Sequence, residues 1–376
     1  MIATPARHVA TERSIEFRQS IVTTCPELSG RERFKAHLSK VGSGVQTSRG
    51  MSREESADAL NLILTAQASP AQIGAFLIAH RIRRPEPQEL TGMLDTYRVL
   101  GPKLKSANGQ KRPVCFGMPF DGRKRTAPIY PLTALVLLNA GQPVVLQGGQ
   151  RMPIKYGVTT EELFKALGLQ LQGLAIEHLE AGFQQHGLAL IYQPDHFPLA
   201  ESLISYRDEI GKRPPLASLE LLWTAHQGKH LLVSGFVHPP TEERAWKALE
   251  LAGETNLVTV KGLEGSTDLP ISRTCITSRV QNGKPERLIL HPRNHGCFSQ
   301  DVQWSNLTEW SEQAMEALHN RGPLSQPLLW NAGTYLWLAG LCDNLDEGIA
   351  NAEKCLQSGL AQTTLEQLIA WRETII

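Results

Sequence analysis

The chain has 376 residues with 38 Lys and Arg against 37 Asp and Glu, a formal charge of +1, and 41% hydrophobic and 20% charged residues. That length accommodates two domains, or one large α/β domain with a satellite, and the composition is that of a folded soluble chain rather than a disordered one. The apolar stretch Leu132 to Leu146 is broken by Asn139, Gly141, Gln142 and Pro143, so no membrane span is expected, and without an apolar leader core the chain reads as cytoplasmic.

Residues 1–30 are polar and weakly patterned, and read as an N-terminal extension. From 31 to about 106 the spacing predicts a small helical domain. Ser52-Arg53-Glu54-Glu55 supplies a cap and a capping box, and apolar residues then recur through Ala59, Leu60, Ile63 and Leu64. Ser69-Pro70 starts a second helix through Ile73, Phe76 and Leu77 to Ile82. Pro85-Glu86-Pro87 stops it, and Glu89 to Leu100 forms a third. The apolar residues Ile73, Phe76 and Leu77 exceed what three helices bury alone, which predicts a homodimer through this domain.

From 107 to 376 the pattern becomes α/β. Short buried strands are expected at Val114–Phe116, Val144–Leu146, Ala189–Tyr192, His230–Phe236 and Asn256–Val260, with helices at Leu132–Asn139, Glu161–Leu167, Glu242–Leu251 and Leu328–Leu341. The fold class is therefore α/β, with a central sheet flanked by helices behind the small helical domain.

Charge is concentrated between Lys103 and Lys155. Lys103, Lys105, Lys111, Arg112, Arg123, Lys124, Arg125, Arg151 and Lys155 face Asp121 as the only acid, a local +8. A field of that kind attracts phosphate on a small molecule or on a nucleic-acid backbone. Lys103, Lys105, Lys111, Arg112, Arg123, Lys124 and Arg125 are accordingly candidate nucleic-acid contacts. The six cysteines form no CxxC pair, and no H-E-x-x-H array occurs, so neither a zinc site nor a disulfide framework is expected.

In order, these segments resemble the anthranilate phosphoribosyltransferase family and its nucleoside phosphorylase/phosphoribosyltransferase architecture. Ser52-Arg53-Glu54-Glu55 with Gln72-Ile73-Gly74-Ala75-Phe76-Leu77-Ile78-Ala79 is similar to that family's helical domain. Leu329-Trp330-Asn331-Ala332-Gly333, Glu347-Gly348 and Ser358-Gly359 are similar to its C-terminal helices. The resemblance implies that a later helix near 197–212 packs with the helical domain. The pyrophosphate loop G-T-G-G-D-G is here Gly117-Met118-Pro119-Phe120-Asp121-Gly122, followed by Arg123-Lys124-Arg125. Pro119 lacks an N–H and Phe120 disfavours positive φ, so the backbone cradle is altered. The T-x-N-x-S-T pattern becomes Thr126-Ala127-Pro128-Ile129-Tyr130-Pro131, and K-H-G-N-R becomes Gln147-Gly148-Gly149-Gln150-Arg151. Lys155 lies near a family phosphate lysine, and Arg207 matches the family's substrate arginine. The implied phosphate or ligand set is Gly117, Asp121, Gly122, Arg123, Arg125, Thr126, Gly149, Arg151, Lys155 and Arg207; no catalytic residue is assigned.

The family's adjacent Asp-Glu pair, which holds magnesium, becomes Thr267-Asp268 with Glu264 nearby. The resemblance implies Mg2+ only if the chain is a transferase, held weakly by Asp268 and Glu264. A kept scaffold with altered motifs is similar to the diverged paralogue branch of the YbiB type, which is homodimeric and associated with nucleic acid. The expectation is a protein without ordinary anthranilate activity that binds nucleic acid or a phosphorylated small molecule through a basic groove. The alternative is a phosphoribosyltransferase acting on anthranilate or another base.

Overall fold

The structure, a computed structural model, describes residues 28–44, 46–106, 111–281 and 283–375. Most of the expected extension, residues 1–27, lies outside them.

The first helices begin where the sequence supplies caps. α1 (Gly30–Gly42), α2 (Arg53–Leu64) and α3 (Pro70–Arg83) each open on a serine whose hydroxyl accepts the third N–H of the helix, closed by Glu32, Glu55 and Gln72 in capping boxes. α4 (Pro87–Leu100) crosses α2 so closely that a Cβ on Gly92 would lie 2.0 Å from the Arg53 carbonyl oxygen. Glycine is required there for contact, not for its φ. Ile73, Phe76 and Leu77 are 3%, 0% and 1% exposed. They are consumed by the core of their own chain, where Phe76 meets Phe34 at 5.3 Å between ring centroids. The argument for a dimer from those residues is therefore corrected: they offer no surface to a partner.

The remaining chain builds a sheet that, among the described residues, has seven strands in the order β4-β3-β2-β6-β7-β8-β9. These are β2 (Val114–Gly117), β3 (Val144–Gly148), β4 (Leu188–Tyr192), β6 (Leu231–Gly235), β7 (Asn256–Val260), β8 (Cys275–Gln281) and β9 (Lys284–Leu290). β4 to β7 in that order pair parallel, whereas β8 and β9 add an antiparallel edge. That hairpin is absent from the expected strands, although an Asn-Gly dipeptide between its two strands in the sequence is a hairpin signal. A separate two-stranded parallel pair joins β1 (Leu104–Lys105) to β5 (His226–Gln227).

Helices cover the sheet: α5 (Tyr130–Asn139), α6 (Thr160–Ala166), α7 (Ile176–His186), α8 (Ile204–Ile210), α9 (Pro239–Leu251), α10 (Leu307–Ala317), α11 (Ser325–Leu338), α12 (Leu345–Gln357) and α13 (Leu360–Glu373). α5 is buried nearly all round and packs against α11 and α13. α8 packs back on α3, and α9 lies against α4. The C-terminal carbonyls of α9 lack partners within their helix. Thr91 donates to Ala248 O at 3.0 Å, Arg53 to Leu251 O at 3.0 Å and Arg98 to Ala252 O at 2.8 Å. The helical domain thus caps a helix of the α/β domain.

This topology sets where a ligand fits. The chain lays down β2, β3 and β4 outward in one direction, then returns to the other side of β2 with β6 and β7. The order reverses between β2 and β6, and in open α/β sheets the crevice at such a reversal, beyond the strands' C-terminal ends, is the binding place. Both strands end in glycine, at Gly117 and Gly235. A Cβ would lie 2.1 Å from Leu221 O at the first and 2.2 Å from Gly265 O at the second. Chain from both sides folds directly over the strand tips.

Candidate functional site

Two loops meet over the tips of β2 and β3. Arg123 N donates to Val158 O at 3.1 Å, Val158 N to Arg123 O at 2.8 Å and Gly157 N to Asp121 O at 2.9 Å. Gly122 has φ +75, and a Cβ there would be 2.3 Å from Val158 O. The clip thus needs glycine both for its backbone angle and for its clearance.

The clip presents Asp121 to three cations. Asp121 is fully buried, with Lys155 Nζ at 3.3 Å and Arg207 Nη2 at 3.5 Å, and it accepts a hydrogen bond from Arg213. Burial pulls the Lys155 ammonium below its usual value, and Asp121 pulls it back. Arg207, 3% exposed, also donates to Glu220 Oε1 at 2.6 Å. Beside it lies an apolar cavity of about 40 Å3 bounded by Tyr97, Phe197 and Trp223, whose rings meet edge-on or tilted.

Two residues after Asp121 the arrangement inverts. Arg123 is also 3% exposed. Its Nη1 donates to Asp268 Oδ2 at 2.5 Å and Ser266 Oγ at 2.8 Å, its Nε to Glu264 Oε1 at 3.3 Å, and its Nη2 to Thr126 Oγ1. Asp268 Oδ2 further accepts the Ile129 N–H at 3.0 Å. Burial pushes the Asp268 carboxyl upward, with Arg123 pulling against it.

Glu264, at φ 56, turns its carboxylate into the loop itself. It accepts N–H groups from Lys124 at 3.3 Å, Arg125 at 2.9 Å and Thr126 at 3.0 Å, plus the Thr126 hydroxyl at 3.2 Å. Successive backbone N–H groups of this kind are an anion cradle, and here a side-chain carboxylate fills it. Burial would raise the Glu264 carboxyl, but Arg123 and the N–H groups of Arg125 and Thr126 bring it down to about 2.

The structure brings together Gly117, Asp121, Gly122, Arg123, Thr126, Gly149, Lys155 and Arg207 at the strand tips. Gly122, Arg123 and Gly149 share one cavity of about 10 Å3, no larger than a water. Arg125 stands on the rim with its side chain 77% exposed, and Arg151 is half-exposed and paired with Glu162 at 2.8 Å. Arg123, expected among the nucleic-acid contacts, is instead buried and spent on carboxylates.

The basic stretch does not form one surface. Lys124 and Arg125 lie at the C-terminal end of β2. Lys111 and Arg112 precede its first residue, and Arg112 Nη1 bonds Asn256 Oδ1 at 3.1 Å, where β7 begins. Lys103 is exposed beside β1, and Lys105 of β1 pairs with Glu180 at 3.2 Å. The expectation of a continuous groove along 103–155 is corrected accordingly.

What the sequence reading missed is a second basic wall. A groove of about 900 Å3 between the helical domain and the ends of β6 and β7 is lined by Arg81, Arg84, Arg213, Arg244 and His238. Its acids are already engaged: Glu264 by Arg123, which it shares with Asp268, and by the loop N–H groups, and Glu242 by Arg287 at 3.0 Å. Among the described residues neither Arg84 nor Arg244 has an ion-pair partner. The legible signal was Arg81, Arg83 and Arg84 at the end of α3; the rest are more than a hundred residues away. His291 and His295, four apart in sequence, diverge to Thr274 and Asp346. No group of three or more His, Cys, Asp or Glu among the described residues could hold a metal, and no helix among them is long and apolar enough to cross a membrane.

Two family models match the chain, a glycosyl transferase helical bundle domain over residues 35–101 and a glycosyl transferase α/β domain over 123–362. The anthranilate phosphoribosyltransferase of Afipia carboxidovorans is 26% identical over 342 residues, covering 90% of this chain and 98% of its own. That of Moorella thermoacetica is 27% identical over 345 residues, covering 91% and 99%. Among solved structures, the anthranilate phosphoribosyltransferase of Thermus thermophilus superposes with a TM-score of 0.75 at 21% identity, over 91% of this chain and 99% of its own. The Saccharomyces cerevisiae enzyme in complex with PRPP and Mg superposes with a TM-score of 0.76 at 15% identity, over 91% and 98%.

Proposed function

Because this chain belongs to the glycosyl transferase family that joins a helical bundle to an α/β domain, we propose that it binds a phosphate-bearing ligand in the cleft between those parts. An extended polyanion such as nucleic acid is the better match, and ordinary anthranilate transfer is absent. The groove of Arg81, Arg84, Arg213, Arg244 and His238, in which both lining acids are engaged by other groups, carries the reading. Arg81, Arg84 and Arg244 along an open groove, beside an Arg213 already bonded to Asp121, suit a chain of phosphates better than a single one.

Magnesium, present in the yeast relative's structure, does not fit the residues here. Both carboxylates expected to hold it are engaged with Arg123. Asp268 Oδ1 and Thr267 Oγ1 are the remaining oxygens, both orphaned and sealed from solvent. Magnesium demands near-octahedral oxygen ligands and keeps several waters, and neither condition is met. The backbone cradle is likewise closed to an incoming phosphate while Glu264 sits in it.

Titration of a labelled oligonucleotide at low salt tests the reading. If Arg81, Arg84 and Arg244 each neutralise one phosphate, log affinity falls against log salt with a slope of about −3, and Arg81→Ala, Arg84→Ala and Arg244→Ala together reduce that slope by about 2–3. Binding that ignores the triple substitution rules the groove out.

The second reading, a phosphoribosyltransferase, is favoured by the near full-length similarity to proteins bearing that activity's name. It is checked by following product from anthranilate and phosphoribosyl pyrophosphate. Turnover on the order of 1 s⁻¹ or faster, ordinary for an enzyme, would decide for it.

A further inference from the structure

We infer that Arg123 is a resident cation: its guanidinium holds the place a divalent ion would take against Asp268 and Glu264, so that anion binding in this cleft needs no divalent metal. The geometry is complete from the arginine's side. Nε, Nη1 and Nη2 all donate, to Glu264, to Ser266 and Asp268, and to Thr126. Arg123, Asp268 and Glu264 have side chains 3%, 1% and 3% exposed; the one guanidinium meets both carboxylates, and the excess negative charge falls on Glu264, which the Lys124, Arg125 and Thr126 N–H groups hold. A guanidinium stays charged at any working pH and has a fixed fork of donors. It therefore supplies permanent positive charge but no open coordination position. A metal ion held by both carboxylates could enter only by expelling Arg123 from Asp268 and Glu264, leaving a buried cation with hydroxyl partners alone.

The chain's own construction supports this. Arg123 is placed by the clip to Val158 and by Gly122, whose backbone angle no other residue adopts at ease. The same turn that delivers Asp121 to Lys155 and Arg207 thus delivers Arg123 the opposite way, into the two carboxylates. As regards the ligand, the inference rests on the cleft proposed above; as regards the metal, it stands apart from it.

Mn2+ binding to the full-length protein, followed by the paramagnetic resonance signal of the free ion, tests it. Wild type is expected to show no saturable binding through low-millimolar Mn2+. Arg123→Ala, which leaves Asp268 and Glu264 facing an empty place, gains affinity on the order of tenfold or more, and Asp268→Asn added to it removes the gain. Should Arg123→Ala fold only in the presence of Mn2+, a thermal melt with and without the ion reads the same gain. Should it fold in neither, wild type and Asp268→Asn decide alone. Saturable Mn2+ binding by wild type that Asp268→Asn abolishes overturns the inference, as does a folded Arg123→Ala blind to Mn2+. In a parallel titration, oligonucleotide affinity of wild type is expected not to fall in chelator, since Mg2+ acts there only as a competing counterion; a loss of tenfold or more in chelator also overturns it. Absence of any oligonucleotide binding defeats the cleft reading and leaves the Mn2+ result to judge Arg123.

Discussion

Glu264 shows how much one carboxylate can organise. It holds three successive N–H groups of the Arg123–Thr126 loop from a residue at φ 56. Its folded value near 2 lies below the ordinary glutamate value of about 4.3. The stabilisation it gives is therefore whole above the ordinary value and is lost as pH falls from about 4 toward 2. The Tm gap between wild type and Glu264→Gln should be widest at neutral pH and close in acid; a gap constant with pH would contradict this. Replacing Asp121 with Ala leaves Lys155 and Arg213 without their carboxylate and Arg207 with Glu220 alone, a loss expected near the roughly 3–5 kcal/mol of a broken buried pair, measurable by urea unfolding. Asp121 and Gly122 were legible as candidate residues from their motif, and Arg123 from the basic run that follows it. Their neutralisation was not, because the partners of Arg123 lie 141 to 145 residues further along the chain.

Among the elements, those with explicit start signals were read most closely. Ser52 with Glu55 and Ser69 with Pro70 open α2 and α3 as expected, and the strand expected at Asn256–Val260 has those bounds. The β8–β9 hairpin escaped because β9 is largely exposed, with Lys284, Glu286 and Arg287 ahead of Leu288-Ile289-Leu290, a pattern without an alternating buried face to announce it. The close crossing of α2 and α4 was equally invisible, since Gly92 inside a helix reads only as a weak helix former. Gly92→Ala places a methyl 2.0 Å from a carbonyl oxygen. The two helices must then part, and the expected cost is at or beyond the top of the ~1–3 kcal/mol typical of overpacking. A denaturation midpoint unchanged by the substitution would show that the crossing relaxes freely.

Across the whole molecule, charge was misread for a geometric reason. Residues adjacent in sequence were taken as adjacent in space, yet β2 runs between Arg112 and the Asp121–Arg125 loop and carries the two groups to opposite ends of the sheet. The wall that does face the cleft gathers arginines from α3, from the segment after α8 and from α9, a set no local window contains. Lys111→Ala with Arg112→Ala should therefore leave the salt dependence of oligonucleotide binding unchanged, whereas the Arg81, Arg84 and Arg244 substitutions lower it. Equal effects from both sets would mean that the polyanion wraps the sheet rather than lying in the groove.

The capping of α9 by Thr91, Arg53 and Arg98 joins positions 157, 198 and 154 residues apart. During synthesis the helical bundle leaves the ribosome long before its partner exists. At roughly 5–20 residues per second, a gap of 154 residues is a wait of about ten to thirty seconds. Through that interval the α4 surface that α9 will cover stays open to solvent and to other nascent chains. A factor that shields this surface would act on the first hundred residues alone, and its dwell time on the nascent chain would end when Leu251 emerges.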